Sequence, residues 1–281
     1  MKSKTLVFFQ YIFGLAVAFC TLAPFAWLLL SSISHPVDLQ TVPLRWIPNH
    51  ITFERYTDIF TNSDNKMAYA FRISMKNSMI VAVLVTSIAL LVGGLAAHAF
   101  AKYKFHFRQP LIYLFLFTYM IPSIVIVIPL YMTVDKLGML DSKLTLVLLN
   151  LSFAIPFVIW IMQSYFKQLS HEFYEAAALD GCSRLQTLYL IVIPMVRPGI
   201  IATLIFVFLL SWDDFFFGLL FTSTLDSKTI PVAISEFSGK HAVDFGLVAT
   251  AGVISSFPPL LIAIFLQRFL VHGMTAGGVK E

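Results

Sequence analysis

Phe173-Tyr174-Glu175-Ala176-Ala177-Ala178-Leu179-Asp180-Gly181, with Ile191-Val192-Ile193-Pro194 further on, is the stretch on which the reading of this chain turns. It lies in a polar break, about 166–198, between two apolar segments that are each long enough to cross a bilayer. Glu, Ala, Leu and Gln dominate the break and its Pro residues come only at its far end, so its composition is that of a helix. A short helix, a break at Gly181 and a second helix running toward Pro194 are expected. An elbow of this kind outside a membrane is either a plain surface helix or a shape for another protein to grip. Small side chains at Ala176, Ala177 and Ala178 let a second backbone come close, and Gly181 accepts backbone angles that other residues resist. Glu175 offers a carboxylate to a basic partner residue, and Asp180 either does the same or caps the second helix.

Outward from the elbow, apolar runs occupy about 6–30, 78–97, 111–131, 144–162, 199–221 and 247–266. A helix needs about 20 such residues to cross a hydrocarbon core, and a segment in lipid must satisfy its own backbone hydrogen bonds. The expected fold class is therefore an all-α polytopic membrane protein, with six transmembrane helices in one domain over 1–281. Hydrophobic residues make up 58% of the chain and charged residues 12%, against roughly 25% charged in soluble domains. The net charge of +4 comes without a Lys/Arg run dense enough to track phosphates, which argues against a nucleic-acid partner. Cys20 falls in a span and Cys182 in the elbow, a separation that suggests neither a disulfide nor a metal framework.

Lys2 and Lys4 ahead of the run from Leu6 to Leu30 resemble a secretory signal, but the run is about twice the roughly 7–15 residues of a signal core and no small-x-small site follows. It is expected as a retained first span. Six spans put both termini on one side. Lys2 and Lys4, with the short loop of Lys102, Lys104 and Arg108, favour cytoplasmic termini, while Arg45, Arg55, Lys66, Arg72 and Lys76 in the long first connection weigh against them. That connection, about 31–77, holds Pro36, Pro43 and Pro48. After them Phe53, Tyr56, Ile59 and Phe60 fall on one helical face. The stripe suits a helix packed on the rest of the protein, or one lying in the interface beneath an external partner, and Trp46 beside Pro48 suits the headgroup region.

Catalytic chemistry finds no footing. No GxxxxGK[ST] run occurs, so the chain builds no P-loop. His171-Glu172 begins like a zinc-protease motif, but Glu175 stands where the second His is required, and His98, His106, His171, His241 and His272 are scattered without metal spacing. No nucleophile elbow appears. Neither catalytic nor metal-binding residues are assigned, and an enzyme is not expected.

Glu175-Ala176-Ala177, then Gly181, then Ile191 through Pro194 resemble, in that spacing, the loop signature of binding-protein-dependent ABC importer permeases, with Ile193 where Leu is usual. Similarity to the carbohydrate branch extends to Met120-Ile121-Pro122 through Tyr131, Lys136-Leu137-Gly138-Met139-Leu140-Asp141, Pro156 to Trp160, Trp212-Asp213-Asp214-Phe215, and the tail from Gln267 to Lys280. Asp213-Asp214 stands where Asn-Glu is more usual, and His272 where Arg is common. The resemblance implies a bacterial inner-membrane permease subunit of a maltose-type importer, working by alternating access. Its partners would be a second related permease, two ATPase subunits that bind ATP and Mg, an external solute-binding protein, and membrane lipids. It implies no cofactor in this chain. Glu175, Ala176, Ala177, Asp180, Gly181, Ile191 and Pro194 would form or support a cytoplasmic coupling helix, and the tail would reach the ATPases. A disaccharide or short oligosaccharide leads as substrate, ahead of glycerol phosphate or another polyol. The rival reading, a secondary transporter of a polar solute, would run on its own ion site and need no elbow.

Asp213 and Asp214 need a physical account inside a span. An aspartate near the bilayer centre costs roughly 3 kcal/mol, so the pair should line a wet cavity, meet a donor, or sit where the helix ends. Trp212 would stack on a sugar face while a carboxylate accepts from hydroxyls. With Asn150 in the fourth span, these residues are the candidate substrate path.

Overall fold

The computed structural model describes residues 4–43, 45–62, 64–237 and 244–275, with side chains from 7 to 269 within that range. Lys2, His241 and the tail from Ala276 onward lie outside the described residues, as does the side chain of His272. In chain order the helices are α1 (Lys4–Ile33), α2 (Pro36–Leu39), α3 (Glu54–Thr61), α4 (Lys66–Lys102), α5 (Arg108–Met120), α6 (Ser123–Lys136), α7 (Lys143–Lys167), α8 (Glu172–Leu179) and α9 (Arg184–Thr187). A π-turn over Leu188–Val192 joins α9 to α10 (Ile193–Met195), and α11 (Arg197–Trp212), α12 (Phe216–Phe221), α13 (Ile230–Phe237) and α14 (Phe245–Thr275) follow. Four helices, α1, α4, α7 and α14, are long and apolar enough to cross a membrane alone, and two bent pairs raise the number to six if each is one span.

Two of the expected spans are not single helices. The run over 111–131 stops at Met120 and restarts at Ser123, with a bend of 91° between α5 and α6. Proline is the cause: Pro122 has no N–H to continue the helix, and it drives Ile121 to φ −71°, ψ 120°. The run over 199–221 ends as a helix at Trp212, because Asp213 leaves helical geometry and Asp214 begins a new start with its carboxylate. The second bent pair is the elbow's Arg184–Met195 with α11, at 76°. α4 begins at Lys66, about three turns before the expected start at 78.

The chain forms two compact units, Met1–Arg72 with Ala233–Phe257, and Ile73–Val232 with Pro258–Glu281. In the first, polar groups tie the ends of helices. Ser32 and Tyr56 share a hydroxyl hydrogen bond of 2.7 Å, Thr250 donates to the Ser32 carbonyl at 3.2 Å, and buried Arg55 donates to the Ser34 carbonyl at 2.7 Å and meets Asp244 at 3.5 Å. The stripe on α3 is therefore composed differently from the expected one. Ile59 is buried with Arg55, while Phe53 and Phe60 are exposed. Trp46 is also exposed, resting edge-on against Trp27 at 5.1 Å.

In the second unit α7 is central, packing against α5, α11 and α12. Water expulsion does not drive helices together in lipid, so close contact relies on small residues. Gly93 of α4 lies against Val158 and the Ile155 carbonyl, and Ala82, Ala89 and Ala97 are fully buried along the same helix. The connection after α12 is pinned at several points: Asn77 donates to the carbonyls of Leu225 and Lys228 at 2.9 Å each, and Ser78 accepts from the Ile230 amide at 2.8 Å. Asp141 accepts from the Ser223 amide at 2.8 Å, the Thr224 amide at 3.0 Å and the Ser227 hydroxyl.

Candidate functional site

The elbow is built by local rules. Ser170 accepts from the Glu172 amide at 3.3 Å where α8 begins, and Glu172 and Glu175 put negative charge in the first turn, where the helix dipole favours it. α8 closes with paired hydrogen bonds, Cys182 N–H to the Ala177 carbonyl at 2.9 Å and Gly181 N–H to the Ala178 carbonyl at 3.1 Å. That closure needs a left-handed residue, and Gly181 supplies it at φ +79° with open space around it. Backbone conformation, and not crowding, is the reason for glycine.

The second helix starts at Ser183, whose hydroxyl accepts from the Gln186 amide at 3.3 Å while Gln186 Oε1 accepts from the Ser183 amide at 2.8 Å. This reciprocal box displaces the expected capping role of Asp180, which instead is the C-cap of α8. Ser-x-x-Gln was legible in the sequence as the signal. Further along, the Ile193 N–H reaches back five residues to the Leu188 carbonyl, and Pro194 next has no N–H to give, so the helix takes a π-turn. Leu188, Val192 and Val196 are buried at intervals of four, holding this arm on the core, while Ile191 is half-buried and Pro194 exposed.

The small-residue surface expected on α8 is divided. Ala177 is 1% exposed and faces inward, whereas Ala176 and Ala178 are exposed. The open face of the elbow carries Phe173, Ala176 and Leu179, the last 89% exposed, and Leu185 beyond the bend. Glu175 is exposed beside His171, at 3.5 Å, a solvated contact worth little. On the inner face, Lys102 at the end of α4 holds its Nζ 3.9 Å from the centre of the Tyr174 ring, a contact worth about 0.5–2 kcal/mol. His98 meets Phe166 edge-on at 5.3 Å and lies 6.0 Å from Tyr174. Sequence reasoning missed this cluster because Lys102 and His98 are separated from Tyr174 by three helices and no spacing connects them.

The candidate substrate-path residues separate into two groups. Asn150, 2% exposed on α7, donates through Nδ2 to Asp214 Oδ2 and to the Leu146 carbonyl, each at 3.0 Å. Asp214 Oδ1 accepts from the Phe217 amide at 3.2 Å. Asn150 and Asp214 line a cavity of about 360 Å³ together with Tyr119, Ile121, Pro122 and Ser123, so the α5–α6 break and the α11–α12 break open on one space. Asp214 thus meets all three conditions for a carboxylate in this position: a donor, a helix end and a cavity. Trp212 and Asp213 do not join it. Trp212 is 3% exposed and stacked on Phe208 at 5.5 Å, which denies its face to a sugar. Asp213 is exposed, at the end of α11, and is not among the residues lining the cavity.

Comparison with known proteins matches residues 89–276 to the model of the binding-protein-dependent transport system inner membrane component family. The chain is 32% identical over 282 residues to the trehalose/maltose transport system permease protein MalG of Thermococcus litoralis, covering 100% of this chain and 99% of that protein. It is 29% identical over 280 residues to the inner membrane ABC transporter permease protein YcjP of Escherichia coli, covering 99% of each. A chain in the crystal structure of a bacterial ABC transporter involved in alginate import shares the fold, with TM-score 0.75 and 20% identity over 95% of this chain and 98% of that one. These relatives are transporter permeases and not enzymes, and they decide between an ABC permease and a self-sufficient secondary transporter. The helical architecture, the elbow and the family match lead to one conclusion: the chain belongs to the binding-protein-dependent transport system inner membrane component family.

Proposed function

We propose that this chain is one of two related permeases of an ATP-driven carbohydrate importer. Its six spans would form half of a pathway that opens alternately to either side. The observation that carries the reading is α8 itself. A short helix outside the long apolar helices exposes Phe173, Ala176, Leu179 and Glu175, while Tyr174 and Ala177 seat its other face. An exposed apolar tip beside a carboxylate is what a partner groove with a basic residue would cover. In this reading the elbow is cytosolic, both termini share its side, and two ATPase subunits close on ATP and Mg and swing the attached helices. An extracytoplasmic solute-binding protein, the partner for which the family is named, delivers the substrate. The chain holds no cofactor of its own.

Carbohydrate is the proposed substrate class, a disaccharide or short oligosaccharide first, supported by relatives named for trehalose and maltose and by an alginate importer as fold neighbour. Asn150 and Asp214 are its proposed contacts, supported by their place on the cavity. The test is purification of the complex in detergent. The ATPase is expected to co-elute with the wild-type chain and to be lost from Glu175→Lys, with the permease still inserted. A Glu175→Lys complex that retains the ATPase and shows normal substrate-stimulated hydrolysis would refute the docking role.

A further inference from the structure

Among the described residues, no side chain of α8 makes a hydrogen bond or ion pair beyond the elbow, and Tyr174 is its side chain that packs on the core around α7. α4 meets this ring directly, and α7 joins it through His98. Lys102, in the last turn of α4, sits over its face at 3.9 Å, and His98, one turn earlier, lies 6.0 Å from it. Phe166, near the end of α7, closes edge-on against His98 at 5.3 Å. The His98 Nε2 is buried without a hydrogen-bond partner, so that imidazole serves here as a packed ring. Burial pushes the Tyr174 phenol up, and burial, with Arg184 adding to it, pulls the Lys102 ammonium down, so the contact stands on its geometry.

A cation on a ring differs from ordinary packing in that it has a preferred approach and tolerates rotation about it. It can therefore hold a short helix to a long one while the angle between them changes. We infer that Tyr174 and Lys102 are positioning residues for coupling, a pivot through which movement of α8 reaches the ends of α4 and α7. The inference rests on reading α8 as the segment that meets the ATPase, and it adds which residues carry that movement inward. Glu175 and the exposed apolar face would receive the partner, and Tyr174, on the opposite face, would pass the displacement on.

The test uses the intact complex in nanodiscs with MgATP as probe, measuring ATP hydrolysis with and without the solute-binding protein. Tyr174→Leu and Lys102→Met are each expected to lower the stimulation by the binding protein about fivefold or more, with ATPase stoichiometry unchanged. Tyr174→Phe keeps the ring and Lys102→Arg the charge, so both should stay near wild type. If the pair acts as one unit, the double variant Lys102→Met with Tyr174→Leu is no worse than either single change. Wild-type stimulation in Tyr174→Leu overturns the pivot, as do additive losses in the double variant, or loss of the ATPase itself from Tyr174→Leu. A wild-type complex that holds no ATPase removes the docking reading of α8 and the pivot together, which separates that failure from failure of the pivot alone.

Discussion

Gly181 shows how one residue's conformation can be mistaken for its surroundings. A Cβ there would meet nothing within 4 Å, yet φ is +79° because the closing hydrogen bonds of α8 require it. Gly181→Ala should therefore cost about 1–2 kcal/mol of local stability through backbone strain alone, while Gly181→Asn, more at ease in that region, should cost less. Proteolytic nicking of the elbow in detergent would rank the two, and equal sensitivity would count against the strain account. Asp214 is the second residue whose contacts decide its behaviour. Both of its oxygens accept, one from Asn150 and one from the Phe217 amide, so Asp214→Ala should destabilise by about 1–3 kcal/mol through the partners it strands. Asp214→Asn keeps one acceptor and should retain assembly but lose sugar uptake, whereas exposed Asp213→Asn should transport normally. Uptake assays with both variants check this, and wild-type uptake in Asp214→Asn would leave the carboxylate a purely structural tie. The sequence singled out this Asp pair but not which member meets Asn150, because two adjacent residues face different directions and only the neighbours decide between them.

At the scale of elements, breaks in helices do more than their lengths. Pro122 ends α5 and Asp213-Asp214 ends α11, and the cavity lies where both helices stop. The proline was plain in the sequence, but an apolar run on either side of it read as one span because hydropathy does not register a bend. The connection from α6 to α7 carries another such device. Asp141, left-handed at φ 59°, is partly buried, which works against ionisation, but hydrogen bonds from Ser227 and from the Thr224 and Ser223 amides outweigh that and hold its carboxyl well below the usual range. A carboxyl depressed in the folded state stabilises fully above its ordinary value of 3.8, and that contribution drains away as pH falls through the folded value. Thermal stability of the purified wild type should therefore drop more steeply below about pH 4 than that of Asp141→Asn, which has no carboxyl to protonate. Parallel pH profiles would show that Asp141 does not hold the connection after α12.

For the whole molecule, the decisive measurement is which side of the membrane the elbow occupies. Cys182, half-buried directly after Gly181, is the natural reporter, since Cys20 lies within apolar α1 and can be replaced by Ser. An impermeant maleimide should label Cys182 only when the cytosolic face is open, in inside-out vesicles and not in intact spheroplasts. Labelling in intact spheroplasts would reverse the topology and place the ATPase elsewhere. The Lys and Arg distribution favours this orientation only weakly, because the long connection between the first two expected spans carries Arg45, Arg55, Lys66, Arg72 and Lys76 against the charges near the N-terminus and the short loop of Lys102, Lys104 and Arg108.

The apolar runs and the helix-forming elbow were enough, from sequence alone, to set the all-helical membrane class and the short helix ending at Gly181, while the family entered as a resemblance in the spacing of Glu175, Gly181 and Pro194. Those features are local: hydropathy, helix-forming composition and a glycine at a helix end act over a few residues. The inward turn of Ala177, the stacking of Trp212 on Phe208, the pairing of Asn150 with Asp214, and the seating of Tyr174 on Lys102 were settled only by the tertiary structure. In a soluble helix the polar face marks the outside, but here lipid-facing and buried faces are both apolar. The pattern therefore carries no record of which side of a helix meets another, and only packing decides it.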